Sequence, residues 1–430
     1  MSSPPLPSRS LGPAVVVCKW QREFIATVLD CGARLYVVLD DGDVAHRNPD
    51  WDLLARAEHV YRVSGFDSIE ELGAVAADLT VRGAEIDQVI SQSEYSQYGA
   101  GYLRTLLCPG RTDPLAHVAY RDKRLMKSRV NAAGITSAPW VSLADPAATG
   151  AAAEVAGRLA FPVVVKPAAG LGTMSTFRVA DPDELTRALG SWRSESALIG
   201  RQLIAEEFVT GRELHVDALW RNGKPLFLTV SGYAQPRLDT LSRRSLPDAP
   251  SDGSQLIPES EDPELHGRVR DLHGRINEAL GIVDEVTHLE LFQRADGELV
   301  FSEIATRAAG AWVPSMLGAH LGGDFWEIIA TGLISGTLPP LDPGPPFVGG
   351  AHIAPGASGR ITSMPTDDEL AAFPGIISWD RWKNVGDDFT DRHGADWCLF
   401  VVYGAQDPHE FAAQAARIAT GVRVEVTAEP

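Results

Sequence analysis

The sequence is poor in cysteine and has no long apolar run. Its four cysteines, at positions 18, 31, 108 and 398, are widely spaced and form no C-x-x-C pair, which argues against a disulfide framework and a zinc site. The opening stretch MSSPPLPSRSLGPAVVVCKW contains only a brief apolar run, too short for a signal peptide or a membrane span. We therefore expect a cytoplasmic protein whose residues 1–12 form a disordered tail.

Basic residues are also scarce, with 38 Lys and Arg against 57 Asp and Glu and a formal net charge of -19. A nucleic-acid or anionic-membrane partner would require a basic surface. We therefore expect small-molecule ligands, no nucleic acid and no membrane. An anionic ligand would need a local pocket built from the few Lys and Arg, from metal ions or from backbone amides.

The two common phosphate-binding loops are missing as well. The pattern G-x-x-x-x-G-K-[ST] does not occur, and GLGTMS at residues 170–175 fails G-x-G-x-x-G because Ser175 replaces the third glycine. Lys166, however, ends the apolar run FPVVVK directly before this small-residue loop. A lysine beside loop amides suits a phosphate group, and a strand-end lysine with its charge in solvent is the alternative.

The pattern of apolar residues predicts three domains. The β-branched runs AVVVCKW, ARLYVVLDD and IDQVISQSE, together with the helical stretch SIEELGAVAADLTVRG, predict a parallel α/β domain over residues 13–119. A second domain is predicted over residues 120–337, with a small lobe at about 140–207. A Pro/Gly-rich link then leads to a C-terminal α+β domain over residues 338–430, expected to act as a lid or packing domain.

Three local predictions concern the second domain. Asp181 and Pro182 should begin a helix as N-cap and first residue. The segment LIAEEFVTGRELHVDALWRNGKPLFLTVSGY should form an antiparallel meander that turns at TGR and at RNGK. Residues 236–263, rich in Pro, Ser and Asp, should form a long mobile loop of the kind that serves as a lid.

A pair of glutamates lies on the predicted strands VTHLELFQ and ELVFSEIA, which the tight turn RADG joins. Counted outward from the turn, Glu290 and Glu303 fall on the same face of an antiparallel pair, so their carboxylates should converge. Opposed carboxylates are destabilising unless a cation lies between them, and Mg²⁺ prefers such oxygen ligands. Two solvated strand residues are the alternative interpretation.

The acidic segment AEEFVTGRE is a weaker candidate. Glu206 and Glu207 precede the apolar Phe208 and Val209, and Glu213 follows a turn. Main-chain groups of such a segment suit a nucleobase, and a carboxylate suits a ribose. A solvated edge strand explains the pattern equally well.

Five segments, in this order, resemble the ATP-grasp superfamily over roughly residues 13–340. They are RDKRLMKSRVNAAGITSAPW, FPVVVKPAAGLGTMS, LIAEEFVTGRE, HLELF and FSEIATRAAG. The resemblance implies an α/β protein that is α+β in its ATP-grasp part, with an N-terminal parallel-sheet domain, a two-lobed ATP-grasp domain and a C-terminal domain. It also implies ATP and one or two Mg²⁺ ions, with Mn²⁺ as a substitute.

The resemblance assigns expected roles residue by residue. Lys123 and Lys166 match lysines that contact ATP phosphates, and Arg307 matches the arginine that faces the transferring phosphate, so Lys166 and Arg307 are the expected catalytic residues. Lys127, one helical turn beyond Lys123, is expected to be solvated. The remaining matches are the loop residues Gly170, Gly172, Thr173, Met174 and Ser175, the adenine and ribose residues Glu206, Glu207, Phe208, Val209 and Glu213, and the metal ligands Glu290 and Glu303.

One departure from the common family pattern narrows the resemblance. Most members carry Asn two residues after the second glutamate, where this chain has Ala305. The run Glu-x-Ala-x-Arg-x-x-Gly resembles the branch of L-amino acid ligases related to the bacilysin dipeptide synthase. In that branch the residue after the glycine, here Ala311, shapes the pocket of the first amino acid. The resemblance therefore makes Gly310, Ala311 and Trp312 substrate candidates. His288, Arg243 and Arg244 are further candidates for holding a substrate carboxylate, and exposed loop or strand residues are the alternative interpretation.

These residues together predict an ATP-dependent ligase that joins a small carboxylate to an amine, for example two amino acids, through an acyl phosphate with release of ADP. Natural-product biosynthesis is the expected setting, and a homodimer is the expected assembly. Two other functions stay open. One is an ATP-grasp enzyme that activates bicarbonate or loads a carrier protein, and the other is a nucleotide-binding protein without catalysis.

Overall fold

The computed structural model describes residues 12–110, 113, 115–193, 200–238, 252–390 and 396–428. The chain divides into two compact units. The first contains residues up to 117 together with 326–339, and the second contains residues 118–325 and 340–430. The domain limits inferred from the sequence, at 13–119, 120–337 and 338–430, remain a proposal.

The first unit is built on a parallel sheet of four strands in the order β3-β2-β1-β4. All five residues of the central strand AVVVC are buried, as expected for a strand covered on both faces. The predicted parallel α/β class is therefore confirmed. Its strands are β1 Ala14–Cys18, β2 Arg34–Asp40, β3 His59–Val63 and β4 Gln88–Ser91, and its helices are Arg22–Asp30, Asp41–His46, Trp51–Leu54, Ile69–Val81, Gln97–Leu107 and most of Phe325–Ser335, with a 3-10 turn at Glu94–Ser96.

In its described residues, the second unit contains three antiparallel sheets. A four-stranded sheet has the order β5-β8-β6-β7, and an eight-stranded sheet has the order β13-β12-β9-β10-β11-β14-β18-β16. A small sheet has the order β17-β15-β19. The strands are β5 Trp140–Leu143, β6 Val163–Pro167, β7 Phe177–Val179, β8 Leu203–Glu207, β9 Arg212–Arg221, β10 Lys224–Tyr233, β11 Asp252–Leu256, β12 Val286–Gln293, β13 Leu299–Ala305, β14 Phe347–Ile353, β15 Gly359–Ser363, β16 Ile376–Arg381, β17 Asp388–Phe389, β18 Leu399–Ala405 and β19 Glu425–Ala428.

Helices cover these sheets. The short helix Ala116–Ala119 lies where the two units meet in the chain. No helix in the described ranges is long and apolar enough to cross a membrane. The other helices of the second unit are Lys123–Ala132, Ala151–Ala156, Pro182–Ser191, Pro263–Leu280, Val313–Leu321, Asp367–Ala372 and Pro408–Gly421.

The predicted meander is wrong at its first strand. β8 pairs with β5 and β6 in the four-stranded sheet, whereas β9 and β10 form a hairpin in the eight-stranded sheet. The antiparallel pairing of β9 with β10 is as expected, and so is its turn at Asn222 and Gly223, both with positive φ. The residues between β8 and β9 therefore carry the chain from one sheet to the other. Strand propensity does not reveal which sheet a strand joins, because the pairing partners are distant in sequence.

The predicted loop over residues 236–263 is wrong for residues 252–256. These form β11, which lies between β10 and β14 in the eight-stranded sheet. Pro263 begins a helix, and Asp262 caps it by accepting a hydrogen bond from the Leu265 amide. Residues 239–251, including the candidates at 243 and 244, lie outside the described part of the chain.

The predicted helix start at Asp181 is confirmed. The Asp181 side chain accepts a hydrogen bond of 2.8 Å from the Glu184 amide, and Pro182 is the first helical residue. Replacing Asp181 by Ala should lower the free energy of unfolding by about 1 kcal/mol, because the amide loses its partner. Urea denaturation followed by circular dichroism measures this change. Asp183→Ala is the matched control, and an equal loss in both variants would contradict the capping role.

Candidate active site

One face of the eight-stranded sheet carries a group of polar side chains. Glu290 on β12 lies directly opposite Glu303 on β13 and opposite His215 on β9. In the neighbouring row, His288 lies opposite Asp217. Residues two apart on a strand share a face, so all five side chains lie on the same side of the sheet. The predicted pairing of the two glutamates is confirmed by this register.

A chain of alternating charges begins at Glu303. Its Oε2 lies 3.4 Å from Lys123 Nζ and 3.3 Å from Lys166 Nζ. Lys166 in turn lies 3.4 Å from Glu206 Oε2, and Glu206 Oε1 lies 3.4 Å from Lys127 Nζ. Three cations and two anions thus alternate across β6, β8, β13 and the helix Lys123–Ala132. This places a local excess of positive charge within an acidic protein.

The expectation that Lys127 is solvated is wrong. Its side chain is 1 % exposed, pairs with Glu206 and lies 5.6 Å from the centre of the Phe301 ring. Burial lowers the pKa of Lys127 to about 8, although Glu206 acts in the opposite direction. The spacing from Lys123 was the available signal, because residues four apart lie on one helical face. That face also buries Met126 and Val130.

The charges of this cluster shift the pKa values of Glu303 and Lys166, the pair at its centre. Burial alone would raise the pKa of Glu303, but Lys123 and Lys166 lower it to about 2. Burial alone would lower the pKa of Lys166, but Glu206 and Glu303 raise it well above its usual value. Both groups therefore stay charged over the physiological pH range.

The loop after Lys166 is attached to the same cluster. Lys123 Nζ donates to the Gly170 carbonyl at 3.1 Å, and Arg121, which the sequence reading did not single out, donates to the carbonyls of Ala169 and Gly170. Gly172, Thr173 and Ser175 all have positive φ, so the loop is a succession of tight turns. Met174 lies within it, and its amide donates to the Leu171 carbonyl. The role of these residues in holding phosphate stays a prediction.

Glu290 and Glu303 each contact other side chains of the protein through one carboxylate oxygen. Glu290 Oε1 accepts a hydrogen bond of 3.1 Å from the Tyr233 hydroxyl and lies 3.6 Å from His288 Nε2. Glu303 uses Oε2 for the two lysines. Within the described residues, Oε2 of Glu290 and Oε1 of Glu303 accept no hydrogen bond. The side chains are 22 % and 28 % exposed, so a ligand can reach them. An unpartnered oxygen on each carboxylate fits a bound Mg²⁺ ion.

Asp217 joins two histidines beside this pair. Its two oxygens lie 2.7 Å from His215 Nδ1 and 2.8 Å from His288 Nδ1. Burial alone would raise the pKa of Asp217, but the two imidazoles hold it well below its usual range. Asp217 in turn outweighs the effect of burial on His288 and raises the pKa of that imidazole to about 9. An ionised carboxylate only accepts hydrogen bonds, so both Nδ1 atoms donate to it.

The residues matched to adenine and ribose occupy different surroundings. The Glu206 side chain points to Lys127 and Lys166, whereas the Glu207 carboxylate accepts from the Ala160 amide. The Phe208 ring stacks under the Arg178 guanidinium at 4.1 Å, and Val209 is buried. Glu213 accepts from the Arg237 amide at 2.7 Å. Their contacts with a nucleotide stay a prediction.

The segment after β13 carries the remaining candidates. Arg307 is partly buried and donates to the Ala308 carbonyl, and Gly310 is exposed. Ala311 has a φ of 57°, a backbone conformation that favours glycine. The Trp312 ring is buried against Phe400, and its Nε1 donates to Ser254 Oγ at 2.9 Å. With 2 % of its surface exposed, Trp312 belongs to the core.

Comparison with known proteins agrees with this geometry. A family model described as an ATP-grasp domain matches residues 159–315, a range that contains Lys166, Glu206, Glu290, Glu303 and Arg307. Residues 159–315 therefore carry an ATP-grasp domain. Proteins with this domain bind ATP together with a divalent metal ion.

The relatives narrow the class. The chain is 25% identical over 357 residues to the L-arginine-specific L-amino acid ligase of Bacillus subtilis, which covers 81% of each chain. It is 26% identical over 188 residues to D-alanine–D-alanine ligase A of Brucella melitensis, which covers 43% of this chain and 51% of that protein. The protein is therefore an ATP-grasp carboxylate–amine ligase, similar to the L-amino acid ligases.

Solved structures share the fold. The L-amino acid ligase of Bacillus licheniformis superimposes with a TM-score of 0.71 at 16% identity, over 97% of this chain and 99% of that one. The carboxyaminoimidazole ribonucleotide synthase of Aspergillus clavatus, solved with ATP, superimposes with a TM-score of 0.66 at 15% identity, over 96% and 99%. At these identities the likeness concerns the fold alone.

Lys127 should contribute strongly to the stability of the second unit. Lys127→Met should lower the free energy of unfolding by about 3 kcal/mol, because the buried Oε1 of Glu206 is left without its cation while only Oε2 keeps Lys166. Chemical denaturation measures the change. Lys224→Met, at an exposed lysine of β10, is the control. Equal stability of the two variants would contradict the buried pairing.

Glu213 should make stability depend on pH. Burial, followed by the nearby Glu290 charge, raises the pKa of Glu213 from 4.5 to about 7, so its ionisation opposes folding. This cost is absent below about pH 4.5 and grows as the pH rises through 7. Glu213→Gln should therefore gain stability relative to the parent protein between pH 5 and pH 8. Denaturation at both pH values tests this, and a constant difference would contradict it.

Proposed function

We propose that the protein is an ADP-forming ligase that joins the carboxylate of one amino acid to the amine of another through an acyl phosphate. The observation that carries the proposal is the opposition of Glu290 and Glu303, each with one unpartnered oxygen, beside Lys123 and Lys166. Such an arrangement suits the phosphates of ATP together with a divalent ion. Binding of a nucleotide alone would need fewer of these charges.

The first step of such a reaction brings a carboxylate and the γ-phosphate together, and both are anions. Lys123, Lys166 and Arg307 are proposed to offset this repulsion. Arg307 has a planar fork that holds a carboxylate or phosphate bidentately, which a lysine cannot do. One or two Mg²⁺ ions on Glu290 and Glu303, or Mn²⁺ in their place, would neutralise charge on the phosphate oxygens.

The second step needs protection from water, because an acyl phosphate hydrolyses. The loop of residues 170–175 is proposed to cover the phosphates, with its base tied to Lys123 and Arg121. Glu206, Glu207, Val209 and Glu213 are proposed to hold the adenosine part. These roles rest on the family match and on the position of β6 and β8 in one sheet.

Amino acids are the proposed substrates. The similarity to an L-arginine-specific L-amino acid ligase supports this class without fixing the side chain that is accepted. Ala311, between Gly310 and Trp312, is proposed to line the pocket of the first amino acid, where a small side chain leaves room. Ala311→Trp should shift turnover toward smaller first substrates, measured as phosphate release across amino acids of increasing size. An unchanged size profile would remove Ala311 from the pocket.

The function is tested by supplying ATP, Mg²⁺ and amino acids singly and in pairs, with identification of every product. Pairs that yield a dipeptide together with ADP and phosphate support the proposal. AMP and pyrophosphate would defeat it, and ADP release that depends on bicarbonate would favour the alternative carboxylating activity. Arginine is a useful first member of the panel because of the Bacillus subtilis relative.

Arg307 provides a sharper test of the mechanism. Arg307→Ala should lower kcat about 10²-fold or more with little change in ATP affinity, because its charge acts in the transition state. Arg307→Lys is the matched control, since it keeps the charge and loses the fork. If charge alone matters, Arg307→Lys should recover most of the activity, whereas bidentate binding predicts little recovery. Near-normal turnover of Arg307→Ala would exclude Arg307 from the mechanism.

A cytoplasmic location and a homodimer belong to the same proposal, with natural-product biosynthesis as the setting. The substrate ATP is abundant in the cytoplasm, and the four cysteines are free thiols in the structure. Light scattering after size-exclusion chromatography measures the assembly.

A further inference from the structure

The His215, Asp217 and His288 side chains form a network that the proposed chemistry does not use. Asp217 occupies the centre, with one oxygen accepting from each imidazole. Its side chain is only 4 % exposed, and that of His215 is fully buried. Two well-formed hydrogen bonds to one carboxylate fix the orientation of both rings. The network is therefore a rigid part of the sheet face.

The network continues to one of the two opposed glutamates. With Nδ1 of His288 held by Asp217, the other nitrogen, Nε2, lies 3.6 Å from Glu290 Oε1. The Tyr233 hydroxyl donates to the same oxygen. Glu290 is thus held from one side through Oε1, and this leaves Oε2 available. Ala305, opposite His288 in the register, has no polar group to contribute in that row.

We propose that Asp217 is a positioning residue that fixes Glu290 through His288, so that Glu290 Oε2 is presented to a divalent ion shared with Glu303. This inference rests on the proposed function, since it takes Glu290 as a metal ligand. Groups behind a metal ligand that fix its orientation contribute about 10- to 100-fold to metal affinity. Asp217 contributes in this way without contact with the ion.

A different use of the same side chains is a metal site of their own. His215, Asp217 and His288 each offer one ligand atom, and these atoms lie within 4.8 Å of one another. A cation there would have to replace both hydrogen bonds of Asp217 in a region that solvent hardly reaches. Glu290 and Glu303 are 22 % and 28 % exposed, against 0 %, 4 % and 12 % for the three cluster residues, and each has an oxygen that accepts no hydrogen bond. The geometry therefore favours a positioning role.

The test is direct binding of Mn²⁺ to the full-length protein in the presence of saturating ADP. Binding is measured as the loss of the free Mn²⁺ signal in electron paramagnetic resonance. Asp217→Asn should raise the Mn²⁺ dissociation constant about 10-fold or more, with an unchanged affinity for metal-free ADP. Thr287→Val is the matched control. Thr287 is a buried polar residue of β12, the strand of His288 and Glu290. It is bonded to His273 on the other face of the sheet, and its replacement should leave Mn²⁺ affinity unchanged.

A double-mutant cycle separates positioning from general damage. If Asp217 acts through Glu290, Asp217→Asn should have no further effect on Mn²⁺ affinity in a Glu290→Gln background. Additive losses would overturn the inference. If Asp217→Asn does not fold, His288→Gln, which keeps the pairing of Asp217 with His215, is measured with the same expectation.

The outcomes distinguish this inference from the proposed function. If Glu290→Gln does not weaken Mn²⁺ binding, the metal role of Glu290 fails and the positioning role fails with it. If Glu290→Gln weakens binding and Asp217→Asn does not, only the positioning role is overturned. Mn²⁺ or Zn²⁺ binding that Asp217→Asn abolishes and Glu290→Gln leaves intact would overturn the positioning role and assign the ion to the histidine cluster.

Discussion

The pairing of buried opposite charges is the interaction on which the candidate site depends. Lys127, Glu206, Lys166, Glu303 and Lys123 alternate in sign at separations of 3.3–3.4 Å. Each ion is costly to bury alone, and each is tolerated because its neighbours have the opposite charge. The chain links both large sheets of the second unit to one helix. The positions of the lysines proposed to bind phosphate therefore depend on the same ion pairs that stabilise the second unit.

The antiparallel register supplies the second constraint. Because β12 pairs with β13 on one side and with β9 on the other, the residues beside Glu290 are determined by strand alignment. A shift of one residue would turn the glutamates to the opposite face of the sheet. The polar face is therefore a property of the whole sheet. Its partly exposed members, Glu290 and Glu303, can contact a ligand. Its buried members, Asp217 and His215, can hold the neighbouring side chains in position.

Local signals in the sequence predicted a substantial part of this arrangement. The hairpin of Glu290 and Glu303 was predictable because its turn is short and both strands are adjacent in the chain. The parallel sheet of the first unit and the cap at Asp181 were predictable for similar reasons. The resemblance to the ATP-grasp superfamily came from five sequence segments and their order. Neither composition nor periodicity reveals this domain.

The parts that could not be predicted depend on partners distant in sequence. Lys127 has an ordinary helical setting, and only Glu206, on a strand of another element, makes its burial favourable. Asp217 and His288 meet because β9 and β12 are neighbours in the sheet, although β10, β11 and the helix Pro263–Leu280 lie between them along the chain. β11 was hidden by a polar composition, DGSQL, that resembles a loop.

The central claim is that the site transfers a phosphoryl group from ATP to a carboxylate. Labelling that carboxylate with ¹⁸O tests this most directly, with mass spectrometry of the products after turnover with a suitable amine. The account predicts that one ¹⁸O atom moves from the amino acid to inorganic phosphate for each amide bond formed. Amide formation with unlabelled phosphate, or with ¹⁸O in AMP, would contradict it.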